Sequence, residues 1–150
     1  MIRHLKAKAY GRDIELELKD RCVLVEGNSG SGRTLVFDVF NEISYINKSI
    51  LCINAEILRN AKKTFKQYKA NAKNKVIFVD NADLILTADA RKSIVKDDSN
   101  QYVIFGRNSK GLPVTNSSFA EVADDLKKIT FIYPFEPKPI PDFDLSKLLP

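Results

Sequence analysis

The chain is poor in the residues that build metal centres and disulfide frameworks. It has one histidine, His4, and two cysteines, Cys22 and Cys52, in 150 residues. Each cysteine lies inside an apolar run, which is typical of a buried free thiol in a reducing compartment. One histidine without a cysteine cluster argues against a zinc site. We therefore expect a cytoplasmic protein that has neither zinc nor a disulfide.

Long apolar runs are also missing. No run approaches the roughly 18 residues that a membrane-spanning helix needs. The first eight residues carry charge with no apolar stretch behind them, so we expect no secretory signal. The apolar fraction of 44% and the charged fraction of 29% are ordinary for a soluble globular protein. A chain of this length is most simply one folded domain.

Acidic residues are absent from one segment, residues 59 to 75. That segment holds seven bases: Arg59, Lys62, Lys63, Lys66, Lys69, Lys73 and Lys75. Removing these seven positive charges from the net charge of +5 leaves −2. All but Lys75 fall on one face of a predicted helix, opposite an apolar stripe of Leu58, Ala61, Phe65, Tyr68 and Ala72. The basic face could bind nucleic acid through phosphate contacts, or it could be the solvated face of a crossover helix.

Apolar and polar patterns predict an α/β fold. Residues 5–9 and 14–18 alternate around a turn at residues 10–13, which indicates an amino-terminal hairpin. Continuous apolar runs follow at residues 22–25, 50–53, 76–79, 102–105 and 129–133. Such strands, separated by segments of helix length, predict a parallel sheet covered on both faces. Residues 117–128 fit either a helix or a hairpin, and we favour the helix.

Proline is concentrated at the carboxyl end. Five of the six prolines fall between residues 134 and 150. This predicts an extended tail, because proline fits neither a helix interior nor a sheet interior. Phe135, Ile140, Phe143 and Leu145 are placed to pack on the body or on a protein partner. The predicted organisation is a domain over residues 1–133 and a tail over residues 134–150.

A glycine-rich stretch follows the first continuous apolar run and precedes an amphipathic helix. It reads Gly27, Asn28, Ser29, Gly30, Ser31, Gly32, Arg33 and Thr34. Glycines allow successive backbone amides to point inward and surround a phosphate chain, and the following helix directs its positive end at the same anion. The Thr34 hydroxyl and the Asp80 carboxylate, which ends another apolar run, are the predicted magnesium ligands.

These motifs resemble a minimal P-loop NTPase domain of the ATP-binding-cassette and AAA type, over about residues 1 to 133. The resemblance implies a three-layer α/β/α P-loop NTPase core, with a mainly parallel sheet of about five strands plus an N-terminal antiparallel hairpin. It also implies ATP and Mg²⁺ as ligands, with residues 27 to 34 around the phosphates. Arg33, Asp80, Asn81 and Asn108 then occupy the catalytic positions, and Asn108 is where AAA proteins place a sensor of the γ-phosphate.

The departures from this family pattern concern hydrolysis. Arg33 stands where the family has lysine, and the exchange changes both shape and reach. Asn81 stands where a glutamate usually orients the attacking water, and an amide cannot accept a proton. Asp83 is the nearest spare carboxylate, and Arg91 or Arg107 could serve as a trans-acting arginine or lie on the surface.

The sequence therefore predicts a protein that binds ATP rather than GTP, since no Asn-Lys-x-Asp stretch is present. Hydrolysis should be weak or absent, and the protein should act as a nucleotide-dependent switch or accessory subunit. The alternative is a degenerate P-loop scaffold that binds a protein or nucleic acid without nucleotide turnover. A small-molecule kinase is less well supported, because too few arginines are available for a phosphate-clamping lid.

Overall fold

The computed structural model describes residues 3–27 and 32–135. The strands are β1 (Arg3–Ala9), β2 (Arg12–Leu18), β3 (Cys22–Glu26), β4 (Ile50–Ile53), β5 (Val76–Val79), β6 (Gln101–Phe105), β7 (Phe119–Asp124) and β8 (Lys128–Ile132). The helices are α1 (Arg33–Ser44), α2 (Ala55–Ala61), α3 (Phe65–Tyr68), α4 (Ala82–Ile85) and α5 (Ala88–Val95). The predicted hairpin and all five predicted apolar strands are present.

The strands form one curled, mixed sheet in the order β1-β2-β8-β7-β3-β6-β5-β4. The run from β7 to β4 is parallel throughout. Strand β8 is antiparallel to β7 and parallel to β2, and β1 is antiparallel to β2. The hairpin of β1 and β2 is therefore joined edge to edge to the rest of the sheet.

The predicted fold class is wrong. The prediction was a three-layer P-loop core with a mainly parallel sheet of about five strands plus a hairpin. The structure has instead one mixed, curled sheet of eight strands that includes the hairpin. The physical reason lies in residues 117–128, where the favoured helix is absent. A short 3-10 turn over residues 116–118 leads there into strand β7. The resulting β7–β8 hairpin supplies the edge on which β2 pairs, so the amino-terminal hairpin continues the sheet.

Asp124 and Asp125 stabilise the turn of this hairpin. Leu126 adopts a left-handed conformation with φ 73° and is exposed, so it does not join an apolar face. The Asp124 carboxylate accepts a hydrogen bond from the Leu126 amide at 2.9 Å. The Asp125 carboxylate accepts from the amides of Lys127 at 2.9 Å and Lys128 at 2.6 Å. Aspartates that bind the backbone two residues ahead favour turns over helices.

Apolar side chains fill both faces of the sheet. On one face α1 packs against the strands, and the Phe40 ring stacks on Phe78 with centroids 4.6 Å apart. The curl brings Ile14 of β2 and Ile129 of β8 into this same cluster. On the other face, helices α2 to α5 cover a second cluster that includes the fully buried Ile77.

The predicted basic helix over residues 58–72 is broken in two. Helix α2 ends at Ala61, Lys62 is left-handed with φ 54°, and Thr64 caps α3 by accepting a hydrogen bond from the Gln67 amide. The Gln67 side chain in turn accepts from the Thr64 amide, which completes a capping box. The basic residues therefore do not share one helical face. Lys69 in particular is only 8% exposed.

The predicted tail, residues 134–150, lies outside the described residues except for Pro134 and Phe135. The Phe135 ring packs edge-on against Phe119, with the centroids 6.1 Å apart. Among the helices that the structure describes, none combines the length and the apolar character that a membrane crossing requires.

Candidate functional site

Those predicted site residues that the structure describes lie at the carboxyl ends of the parallel strands, which form one edge of the sheet. Because β3, β6 and β5 are parallel neighbours, their carboxyl ends lie side by side. Gly27 follows β3 and Asp80 follows β5. The loop after β6 begins at Gly106 and carries Asn108. The carboxyl ends of parallel strands form the crevice in which open α/β sheets most often bind ligands.

The glycine-rich stretch joins β3 to α1 at this edge. Asn28, Ser29, Gly30 and Ser31 lie outside the described residues, so the path of the loop is known only at its two ends. Gly32 precedes α1 with φ 95°, and a Cβ atom there would lie 3.3 Å from Cγ1 of Val122. Among the described residues no side chain caps the first turn of α1. A helix start without a side-chain cap leaves amide groups that an anion can satisfy.

Arg33 begins α1 directly after Gly32. Its Nε atom is buried and has no hydrogen-bond partner among the described residues. Buried polar atoms in folded proteins nearly always have a partner, and guanidinium groups commonly bind phosphate or carboxylate oxygens. The arginine is therefore a cationic donor, at the start of a helix, whose partner is not found in the described part of the chain.

Two carboxylates lie near this helix. Asp80 accepts a hydrogen bond from the Asn81 amide at 2.8 Å. Asp38, one turn beyond Thr34 on α1, was not identified from the sequence. Partial burial, followed by the charges of Asp80 and Glu42, raises the pKa of the Asp38 carboxyl group above its ordinary value of 3.8. The negative charge of Asp80 therefore disfavours the ionised form of Asp38.

Three oxygen-bearing side chains of this region could serve as magnesium ligands. Thr34, Asp38 and Asp80 offer the hard oxygen atoms that Mg²⁺ prefers. A cation between them would relieve the repulsion between Asp38 and Asp80. Within the described residues, no cluster of three or more His, Cys, Asp or Glu side chains could hold a metal ion. Few protein ligands are usual for Mg²⁺, which keeps several waters and binds substrate phosphates.

Two other predicted catalytic residues, Asn81 and Asn108, accept hydrogen bonds from backbone amides. The Asn81 side chain accepts a hydrogen bond from the Ala55 amide at 3.2 Å, at the start of α2. The Asn108 side chain accepts from the Lys110 amide at 3.0 Å. Asp83 accepts from the backbone amides of Arg107 and Asn108, so it holds the loop after β6. The roles predicted for Asn81 and Asn108 stay predictions.

The two arginines considered for a trans-acting role differ. Arg91 is 6% exposed, and its guanidinium donates hydrogen bonds to the carbonyl oxygens of Leu86, Asn108 and Lys110 at 2.6 to 3.0 Å. It therefore braces the loop after β6 from inside the fold, and it is not a surface residue. Arg107 is exposed.

Asp38 is the residue that the sequence reasoning missed. The signal was its spacing, because residues four apart on a helix share a face, and Thr34 had already been assigned to the metal.

No family model matches the chain, and neither a curated protein nor a solved structure is significantly similar to it.

Proposed function

We propose that the β3–α1 edge of the sheet binds the phosphate chain of a nucleoside triphosphate, with ATP as the favoured nucleotide. The observation that carries this proposal is the buried Nε atom of Arg33, which has no partner among the described residues and lies at the start of a helix with no side-chain cap there. An anion at this position would supply the partner for both groups. Gly27 and Gly32 at the two ends of the loop support the same conclusion, because a backbone with little side-chain bulk can approach an anion closely.

In this proposal Thr34 and Asp80 hold the magnesium ion that accompanies the triphosphate, and Asp38 is a further oxygen donor. When bound, the ion neutralises phosphate charge. Arg33 orients the phosphate chain through a planar set of donors. The backbone amides of residues 27 to 34 bind phosphate oxygens, with the positive end of α1 behind them.

Hydrolysis is proposed to be weak or absent. The Asn81 amide cannot accept a proton from water, and its oxygen already accepts a hydrogen bond from the Ala55 amide. Without a base to activate water, the bound nucleotide acts as a switch or as the ligand of an accessory subunit. The proposed location is the cytoplasm, which the free and buried thiols of Cys22 and Cys52 favour.

A thermal-shift titration with nucleotides tests the binding proposal. A ligand that binds only the folded state at about 100 times its Kd adds roughly 2.7 kcal/mol, which in a domain of this size raises Tm by about 5 to 11 °C. Mg-ATP should give this shift, and omission of Mg²⁺ should reduce it. A Tm unchanged by millimolar ATP, ADP or GTP would count against the site.

Arg33→Lys tests whether Arg33 limits turnover in addition to the missing base at Asn81. If it does, lysine, with a compact charge on a flexible stem, should bind ATP more tightly and raise phosphate release over wild type. Phosphate release is measured by a coupled assay with saturating Mg-ATP. If the variant binds ATP but releases no phosphate, the defect lies at Asn81 or in a missing partner, and not at Arg33.

A further inference from the structure

A pocket lies at the amino ends of the parallel strands, opposite the candidate phosphate site. Its volume is about 450 Å³. One wall is formed by α3 and the loop before β5, and the other by the end of α5 and the loop before β6. Because these loops lead into parallel strands, the pocket faces the amino ends of β5 and β6, away from Asp80.

The pocket is basic. Four lysines line it: Lys66, Lys69, Lys73 and Lys96. Only Lys69 is buried, and it serves the fold, since its Nζ donates to the Tyr102 hydroxyl at 2.8 Å and to the Ser93 carbonyl at 3.2 Å. The other three lysines are exposed and available to a ligand.

The two aspartates in the lining do not cancel this charge. Asp97 is engaged by the Tyr102 hydroxyl, the Asn100 amide and the ammonium of Lys69. Its charge is therefore neutralised within the fold. Asp98 alone opposes the three exposed lysines.

The exposed lysines are free to exchange partners. Lys66 lies 3.8 Å from Asp89, but these side chains are 61% and 72% exposed, so the pair contributes little. Among the described residues Lys73 and Lys96 form no ion pair. Phosphate groups can therefore contact these lysines without breaking a strong interaction.

We infer that this pocket binds the phosphate backbone of a nucleic acid. The lysines do not stand alone, because Arg59, Lys62 and Lys63 are exposed on α2 and on the turn that follows it. This extends the positive surface beyond the pocket. Several separate exposed cations match a polymer with repeating phosphates better than a single small anion.

The contacts available are to phosphates and not to bases. Within the part of the chain that the structure describes, no aromatic residue lines the pocket to provide a platform on which a base could stack. Binding should be independent of base sequence and strongly dependent on salt. This surface differs from the predicted basic face, because the ammonium of Lys69 is bound within the fold and Lys96 of the loop after α5 adds an exposed charge.

The test is a titration of a fluorescein-labelled 20-base-pair duplex, followed by anisotropy between 50 and 200 mM salt. The variant Lys73→Gln/Lys96→Gln removes two pocket charges. The matched control, Lys6→Gln/Lys8→Gln, removes two exposed charges from β1, where the Lys8 side chain is 87% exposed. Circular dichroism verifies that both variants are folded.

The pocket variant should lose about 10- to 100-fold in affinity at 50 mM salt, and the salt slope should become shallower by up to about 1.8. The control should stay within about threefold of wild type. An equal loss in both variants would assign the binding to net charge and overturn the inference. No binding of the duplex by wild type at 50 mM salt would also overturn it.

Two further arms separate the alternatives. Arg33→Ala should leave duplex affinity unchanged, because Arg33 lies at the other edge of the sheet. A loss in that variant would move the interface to the nucleotide site and refute the pocket assignment. Binding of a phosphoserine peptide, but not of the duplex, with the same dependence on Lys73 and Lys96 would identify a protein ligand and refute the nucleic acid.

Discussion

Asp97→Asn should destabilise the protein far more than Lys69→Met, although both changes break the same ion pair. Lys69 Nζ lies 3.6 Å from Asp97 Oδ2. The carboxylate also accepts hydrogen bonds from the Tyr102 hydroxyl, from Asn100 Nδ2 at 2.8 Å, and from the amide and hydroxyl of Ser99 at 3.0 and 2.9 Å. Asp97 thus has several partners besides the lysine.

The expected magnitudes follow from what each variant leaves behind. Asp97→Asn leaves the ammonium of Lys69, a residue only 8% exposed, without a counter-charge. Removing one partner of a buried pair costs about 3 to 5 kcal/mol. Lys69→Met leaves a carboxylate that keeps its other donors. The hydrogen bonds lost to Tyr102 and Ser93 are worth about 1 kcal/mol each. Methionine also removes the desolvation cost of the buried ammonium, which offsets part of this loss. We therefore expect Lys69→Met to lower the free energy of unfolding by less than about 2 kcal/mol.

The pKa shifts give these variants a pH dependence. Burial alone would raise the pKa of Asp97, but hydrogen bonds from Tyr102, Asn100 and Ser99 outweigh it and hold the pKa well below 3.8. A depressed carboxyl pKa stabilises the fold above the unfolded value, and this stability is lost as pH falls through the folded value. Wild type should therefore lose stability below about pH 4, and Asp97→Asn should lose less over that range.

The pKa shift of Lys69 has the opposite effect on stability, because it disfavours the folded state. Burial lowers the pKa of its ammonium below 10.5, and Asp97 offsets this only in part. The unfolded chain therefore holds this proton more tightly than the folded one. The resulting penalty is present at neutral pH and is relieved as pH rises towards the ordinary value.

Urea denaturation followed by far-ultraviolet circular dichroism measures both variants. A common m-value with different midpoints is expected, since the surface exposed on unfolding is unchanged. The reasoning is refuted if Lys69→Met costs as much as Asp97→Asn, or if Asp97→Asn costs less than about 1 kcal/mol.

Two other stability predictions use the same denaturation assay. Phe40→Ala should cost about 3 to 5 kcal/mol because it leaves a cavity in a stacked aromatic core, whereas the control Tyr45→Ala, at a side chain 74% exposed, should change stability by less than about 0.5 kcal/mol. Similar losses in both would show that α1 does not pack as described. Gly106→Ala should cost about 1 to 3 kcal/mol because its Cβ would lie 2.9 Å from Asp83 Oδ1, and a neutral result would mean that the loop after β6 yields easily.

The buried strands were predictable because each of them is a continuous apolar run in the sequence. The run of residues 76–79 is entirely apolar and is entirely buried in β5. Sheet topology was harder to predict, because the spacing of Phe119, Val122 and Leu126 suits a helix while the adjacent aspartates favour a turn. Local side chain-to-backbone hydrogen bonds outweighed apolar periodicity at that point.

The prediction of one continuous basic helix over residues 58–72 was wrong for a related reason. The pattern Thr64 to Gln67 is a helix-start signal inside an apparently continuous stripe, and it divides α2 from α3. The burial of Lys69 could not be predicted from spacing, because its partners Asp97 and Tyr102 lie far along the chain. Asp38 was missed because its neighbour Asp80 is brought to it only by the sheet.

Calorimetric titration of the full chain with Mg-ATP tests the central claim most directly. Wild type should bind one nucleotide per chain, and Arg33→Ala should weaken binding by at least about tenfold, because a charge-assisted hydrogen bond to phosphate is worth about 1.5 to 3 kcal/mol. No heat of binding with wild type, or equal affinity in the two proteins, would contradict the assignment of this edge of the sheet as a phosphate site.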